Sequence, residues 1–243
     1  MDPGVGRCGA RRLAPVPRAR AGTVRVSGWA VEHHRGSAAE LHALEVPADA
    51  TPSVWVLEAT GPAVVLGSTQ RDDVVDADAA RAAGVEVARR RSGGGAVWVG
   101  PGDPHWVDVI VPRGHELWTD DVGRAFLPVG RAWQDALASL GIEGTHLHED
   151  RLACGPLGGT VCFAGRGPGE VLLGEAKVVG ISQRRTRAGA RFQCAVPVRW
   201  DPAPLAALLR DRPDPEALAG VGAGIGESIS VDQLVDALVT ALG

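Results

Sequence analysis

Between two short β-type runs, Val85–Ala88 and Ala96–Val99, the chain reads Arg89-Arg90-Arg91-Ser92-Gly93-Gly94-Gly95. No other stretch restricts the fold as strongly. Strands on both sides make it a turn, and three consecutive glycines let the backbone pass very close to another backbone or to a ligand. Successive N–H groups in such a turn form a concavity for an anion. Guanidinium groups add bidentate binding of phosphate or carboxylate. No Gly-Lys-Ser/Thr ending follows, so this is not a phosphate-binding P-loop. Without a ligand, the same residues read as a tight hairpin with exposed arginines.

A second stretch, Gly174 to Arg185, holds Lys177, the only lysine among 25 Lys and Arg residues. GC-rich coding explains a preference for Arg and the absence of Tyr and Asn; it does not explain the exception. Lys177 sits in an apolar strand-like run, where an ammonium loses hydration unless an anion or carboxylate meets it. The alternative is a lysine snorkelling at a sheet edge. Strand alternation places Lys177, Val179 and Ile181 on one face and Val178, Gly180 and Ser182 on the other. A third stretch, Val161 to Glu170, is glycine-rich but lacks a nucleotide-binding spacing, and Pro168 has no N–H to offer. Within it, Cys162 reads either as a small buried apolar group or as a nucleophilic thiol activated by Lys177 or nearby arginines.

Composition sets the outer bounds. The chain has 243 residues, 45% of them hydrophobic and 22% charged, which suits a globular protein with a real core. A formal net charge of −4 argues against a broad basic surface for nucleic acid. No apolar run is long enough for a membrane span, and the first residues lack the apolar stretch of a secretory signal. The four cysteines, Cys8, Cys154, Cys162 and Cys194, show no CxxC pairing or zinc-type spacing, so they read as reduced thiols in a cytoplasm. Residues 1–22 carry five arginines and one acid and no apolar periodicity. They are expected to be a disordered arm or to precede the true start, with 23–243 forming one domain. His146-Leu147-His148, His33-His34 and His105 read as solvated side chains rather than metal ligands.

The pattern predicts strands at Val54–Leu57, Ala63–Leu66, Val85–Ala88, Ala96–Val99, Trp106–Val111, Val171–Leu173, Lys177–Ile181 and Arg191–Val198. Helices are predicted over Asp72–Ala83, from a Thr119 cap to Leu140, over Pro202–Leu209 and over Val231–Leu242. In the long helix, Phe126, Val129, Trp133, Leu137 and Leu140 recur on one face. Ser230 and Gln233 have capping-box spacing for the last helix. Gly220–Gly226 reads as a mobile connection.

Together these stretches resemble the lipoate–protein ligase family, within the biotin/lipoate ligase catalytic-domain group. The family pattern Arg-Arg-x-Ser/Thr-Gly-Gly-Gly-x-Val is matched by Arg89 to Val97. Lys-x-x-Gly-x-Ala/Ser-x-Arg is matched by Lys177 to Arg184, and Gly-x-x-Gln by Gly67 to Gln70. The resemblance implies an α+β fold with a mixed, largely antiparallel sheet flanked by helices. It implies transfer of lipoyl or octanoyl groups onto the acceptor lysine of lipoyl domains, in 2-oxo acid dehydrogenases or the glycine cleavage H protein. Ligases of the family form an acyl-adenylate from ATP and the free acid, lipoate or octanoate. Lys177 then corresponds to the catalytic amine. Arg90, Ser92, Gly93, Gly94, Gly95, Gly180 and Ser182 would bind the acyl head and adenylate, Val97, Val179 and Ile181 would wall an acyl tunnel, and Glu170 is a candidate Mg²⁺ contact.

Two alternatives stay open. Cys162-Phe163 ahead of the lysine motif is similar to octanoyltransferases of the same fold, which need no ATP or other cofactor. There Cys162 would take octanoyl from acyl carrier protein as a thioester. Val99-Gly100 and Cys194-Ala195 stand where ligases commonly carry His-Asp and His-Gly. These changes keep open a non-catalytic protein that binds lipoyl domains or acyl groups.

Overall fold

The computed structural model describes residues 24–26 and 28–243; the expected arm at 1–22 and Cys8 lie outside the described residues. In chain order the strands are β1 (Val24–Val26), β2 (Trp29–Gly36), β3 (Ser53–Ala59), β4 (Ala63–Leu66), β5 (Glu86–Arg89), β6 (Val97–Val99) and β7 (His105–Pro112). They continue with β8 (Thr145–Leu147), β9 (Ala153–Cys154), β10 (Gly165–Arg166), β11 (Val171–Leu173), β12 (Ala176–Arg185) and β13 (Gly189–Val196). The helices are α1 (Ala38–Ala43), α2 (Ala77–Ala82), α3 (Phe126–Ser139), α4 (Ala203–Leu208), α5 (Pro215–Ala219) and α6 (Val231–Leu242). Eight strands form one sheet in the order β1-β2-β3-β7-β13-β12-β11-β8. Only β2 and β3 pair in parallel within it; the other neighbours run antiparallel. A second sheet, β5-β4-β6, carries the Arg/Gly turn between β5 and β6. This is the mixed, largely antiparallel α+β architecture that the sequence predicts.

β7 shows why the large sheet sits where it does. Val107, Val109 and Val111 pack with Trp133 and Leu137 of α3 and Leu234 and Leu238 of α6. Trp106 and Ile110 face the other way, against Leu41 of α1 and Val65 of β4. With both faces covered, Asp108 on the second face is fully buried and needs a counter-charge. Arg191 of β13 supplies it, with Nε 2.5 Å from Oδ2, and Trp106 Nε1 donates to Oδ1 at 2.9 Å. The remaining guanidinium donors reach the carbonyls of Leu41 and Leu44, so one ion pair ties the end of α1 to the sheet. The outer face of the small sheet is covered by α2, α4 and α5, through Ala80, Leu205, Leu208 and Leu218 against Val64 and Leu66.

Several expectations change on contact with the fold. The helix predicted from Asp72 begins only at Ala77: Asp76 caps it, and Val75 before it bridges to Leu209 in extended form. The long helix begins at Phe126, not at a Thr119 cap. Thr119 accepts from Asp121 N–H, and Asp121 accepts from Gly123 and Arg124 N–H, so both side chains close a turn ahead of the helix. Its predicted apolar face is correct, and Gly141 (φ 84°) follows its end. The Ser230–Gln233 capping box is present. A matching box at Ser37 and Glu40 starts α1, which the sequence pattern did not predict. His146 lies in edge strand β8, opposite Leu172.

The largest correction concerns Gly220–Gly226. This segment is anchored, not mobile. Val221 and Ala223 hydrogen-bond the backbone of Lys177, and Ile225 and Gly226 donate to the carbonyls of Pro197 and Val198. Glycine is required at 222 by the Trp200 ring, which a Cβ there would approach to 2.3 Å. Gly222→Val should therefore lower stability by roughly 1–3 kcal/mol, as forced overpacking does. Urea titration would read it, and an unchanged midpoint would contradict this packing.

Candidate active site

The Arg/Gly turn is held from its inner side. Arg90 is buried, and its Nη2 donates to the carbonyls of Gly93 and Gly95, both at 2.8 Å. Its Nη1 reaches Val65 O at 3.2 Å. The sequence assigns Arg90 to ligand binding; here its donors go to backbone carbonyls and turn them inward. Gly67 accounts for one glycine of the upstream motif, because a Cβ there would lie 1.9 Å from Gly94 O. Gln70 accounts for the other end, accepting from Gly67 N–H and donating to the carbonyls of Gly159 and Thr160. Arg89 and Arg91 are likewise engaged, with Asp72 and Glu45. With the carbonyls of Gly93 and Gly95 drawn in and Gly94 at φ 99°, the N–H groups of Gly93, Gly94 and Gly95 have no protein acceptor among the described residues. Gly93 and Gly94 are exposed, whereas Gly95 is buried against the 160–162 backbone; these N–H groups are the candidate anion contacts that the sequence assigns.

A bulge sets the direction of Lys177. Pairing shifts between Val171 opposite Val179 and Leu172 opposite Lys177, leaving Val178 as an extra residue. The simple alternation therefore fails: Lys177 shares the face of Gly180, whose added Cβ would meet the lysine Cδ at 3.6 Å. Val179 packs in the core beneath the helices and is not a wall of the acyl pocket. The lysine is 1% exposed. Its Nζ lies 2.7 Å from Glu170 Oε2, donates to Cys162 O at 2.9 Å, and sits 5.4 Å over the Phe163 ring.

Glu170 is itself tightly held, accepting from Gly167 N–H at 2.6 Å and Ile181 N–H at 3.3 Å. Both carboxylate oxygens are engaged by protein donors, which does not fit the Mg²⁺ role that the sequence assigns to it. Among the described residues no group of three or more His, Cys, Asp or Glu is arranged for a metal ion. The Cys162 thiol is 3.9 Å from Arg90 Nη2, and the Cβ position of Gly94 is 3.9 Å from the sulfur. The sequence offers Lys177 or nearby arginines as partners of this thiol; Arg90 is the one beside it, and the lysine contacts the Cys162 carbonyl. Cys194 differs in kind: burial, aided by Asp108, pushes its thiol well above the usual range.

A narrow pocket is bordered by Val97, Cys162, Phe163, Gly180, Trp106 and His42. Val97, Pro104 and Phe163 also border a wider cavity of ≈ 550 Å³ that includes Trp98 and Trp200. One wall of the narrow pocket is a polar chain. Ser92 Oγ lies 2.9 Å from both Ser182 Oγ and Gln193 Oε1, and Gln193 Nε2 lies 3.0 Å from His42 Nδ1. Ser92 and Ser182 thus bond each other across the two motifs. Gln193 and His42 are pocket residues that motif reading missed. Alternation of Arg191 and Gln193 against Phe192 and Cys194 was the available signal for the first, and the Ser37 capping box for the second.

Burial, with Arg191 and Arg90 adding repulsion, lowers His42 from 6.5 to about 3. The unfolded chain therefore binds a proton here that the folded chain refuses. Stability should fall as pH drops from about 6.5 towards about 3, by up to about 1.4 kcal/mol per pH unit from this group. His42→Gln should flatten that slope in urea titrations across pH. An identical slope in the variant would show that His42 is not held neutral.

Residues 37–243 match the family described as the lipoyl protein ligase A/B catalytic domain. No individual curated sequence matches the chain. Among solved structures, a T. acidophilum protein assigned as a lipoate protein ligase, with bound lipoic acid, superposes with a TM-score of 0.61 at 19% identity, covering 84% of this chain and 75% of that one. A lipoate-protein ligase A bound with ATP gives 0.59 at 22% identity, covering 79% and 72%. A bi-partite ligase from Thermoplasma acidophilum, studied with its E2 lipoyl domain, gives 0.57 at 20% identity over 79% and 70%. At these identities the superpositions show the fold, and the family match reaches across the Arg/Gly turn and the lysine strand alike. The chain belongs to the lipoyl protein ligase A/B catalytic domain family and is an enzyme of the lipoyl-ligase type.

Proposed function

We propose that the protein transfers a lipoyl or octanoyl group to the acceptor lysine of a lipoyl domain, through an acyl-adenylate formed from ATP and the free acid. The observation that carries this reading is that the two motifs meet at one narrow, largely apolar pocket: Arg90 lines it with Cys162, Gly180 and Ser182, and Ser92 bonds Ser182 across it. The acid's carboxylate oxygen attacks the α-phosphorus of ATP and pyrophosphate leaves. The acceptor amine then attacks the acyl carbon, loses its proton to solvent, and AMP leaves. Negative charge grows on the phosphate in the first step and on the acyl oxygen in the second. In this reading Lys177 and the N–H groups of Gly93–Gly95 meet that charge. Glu170 and the Cys162 carbonyl hold the amine as a fixed donor, which suits charge stabilisation rather than nucleophilic attack. A solved relative of the same fold is bound with ATP and another was studied with its E2 lipoyl domain, which supports these substrates for this chain. No helix among the described residues is long and apolar enough to cross a membrane.

The position of Cys162 favours a second reading. Its thiol borders the pocket beside Arg90 and Gly94, where an acyl-thioester carbonyl would face the same N–H groups. Octanoyl would pass from acyl carrier protein to Cys162 with release of the carrier thiol, and then to the acceptor amine with release of the cysteine thiol.

Intact-mass analysis of a lipoyl domain incubated with this protein separates the readings. Octanoate or lipoate with ATP should add one acyl group, and Cys162→Ser should retain that activity. Transfer from octanoyl carrier protein without ATP, abolished by Cys162→Ser, would replace the first reading by the second. Lipoyl-domain binding with no acylation from any donor would indicate a non-catalytic binder. Under either enzymatic reading, Lys177→Met combined with Glu170→Gln should cut transfer by about 100-fold or more relative to the unmodified protein. The paired substitution avoids leaving a buried carboxylate unpaired. Near-equal rates in the two proteins would remove Lys177 from the reaction.

A further inference from the structure

Under the acyl-transfer reading, a protein that acylates lysine amines holds a lysine amine at its own reaction centre, and that amine must not take the acyl group. Lys177 is the only lysine in the chain and is 1% exposed. Its ammonium lies 5.4 Å over the Phe163 ring, which borders both the narrow pocket and the wider cavity. It donates to the carbonyl of Cys162, the residue whose thiol borders the narrow pocket. If Lys177 meets the acyl oxygen during transfer, the activated acyl carbon is one bond further away. An ammonium has no lone pair and cannot attack that carbon; a neutral amine can. The Cys162 carbonyl would accept equally from a neutral amine. Glu170, with Oε2 2.7 Å from Nζ, is the neighbour that calls for the charged form. Gly167 N–H at 2.6 Å and Ile181 N–H at 3.3 Å fix that carboxylate in place. Without its counter-charge a buried ammonium has lost its hydration for nothing, and shedding the proton relieves that cost.

We infer that Glu170 is a positioning residue that protects Lys177 from self-acylation: it holds the amine as an ammonium, so the acyl group passes to the acceptor lysine of the partner domain. The inference rests on the acyl-transfer reading and concerns which of two lysines receives the group. With Glu170 neutralised, the Lys177 nitrogen attacks the acyl carbon, an amide forms, and AMP or the thiol is expelled. The proton of the attacking nitrogen goes to the departing thiol, or to solvent when AMP leaves. The amide carries no charge and ends the protein's use as a catalyst.

The mass of the protein itself tests this. The unmodified chain and Glu170→Gln are each given octanoate with ATP, or octanoyl carrier protein, with no lipoyl domain present. Hydroxylamine then removes thioesters, and a peptide map places any acyl group that survives. Because the chain has one lysine, a stable side-chain amide can lie only on Lys177. The unmodified protein should carry almost none there, and Glu170→Gln should carry about tenfold more or beyond. Glu170→Met, also neutral, takes the place of Glu170→Gln if that chain does not fold. A folded neutral variant whose Lys177 stays as free as in the unmodified protein overturns the inference. So does an unmodified protein acylated on Lys177 to the same extent as the variant. In both cases, acylation of a lipoyl domain by the unmodified protein leaves the acyl-transfer reading standing. No transfer to a lipoyl domain from either donor overturns that reading and the inference with it.

Discussion

A lysine ammonium with 1% exposure can exist only beside a counter-charge, and the geometry around the site follows from that need. Glu170 provides the charge, but a buried carboxylate has the same difficulty. It is resolved by two backbone N–H groups, from Gly167 and from Ile181 of the lysine's own strand. The pair thereby fixes the 167–170 loop against β12. Removing one partner of such a pair costs about 3–5 kcal/mol, because the other charge is left buried and unpaired. The bulge at Val178 turns Lys177 onto the face of Gly180, and the 221–223 ribbon holds its backbone from the other side.

Arg90 solves a complementary problem. A glycine turn displays its N–H groups outward only if its carbonyls are drawn inward, and a polar group must meet them there. One guanidinium does this for Gly93, Gly95 and Val65 together. A lysine could not span those acceptors in a planar fork. The same guanidinium lies 3.9 Å from the Cys162 thiol, so turn and thiol share one organising cation. The motif's arginines shape the site from beneath, and Arg90 also borders the narrow pocket.

Much of this was legible in the sequence. The two motifs gave the family resemblance and the fold class, and the family match agrees with both. The lone lysine marked its own position. Other features were hidden for physical reasons. A bulge adds one residue without any composition signal, so period-two alternation put Lys177 on the wrong face. Gly222 looked like flexible linker because the Trp200 ring that requires it is 22 residues away in sequence. Thr119 had the right chemistry for a cap, but Asp121 used the following N–H groups to close a turn first. Glu170 suited a metal by type, and only its three-dimensional partners showed that both oxygens were engaged. His42 and Gln193 belong to no motif; they meet across 151 residues of sequence.

The central claim is spatial: the reacting acyl carbonyl lies between Lys177 Nζ and the N–H groups of the glycine turn. A crystal structure of the protein with an octanoyl group trapped as its adenylate analogue or as a Cys162 thioester measures this directly. The acyl oxygen or the neighbouring phosphate should lie within hydrogen-bond distance of Lys177 Nζ and at least one of the Gly93–Gly95 N–H groups, with the chain in the pocket beside Val97. An acyl group seated elsewhere, in contact with neither Lys177 Nζ nor the turn, would contradict it.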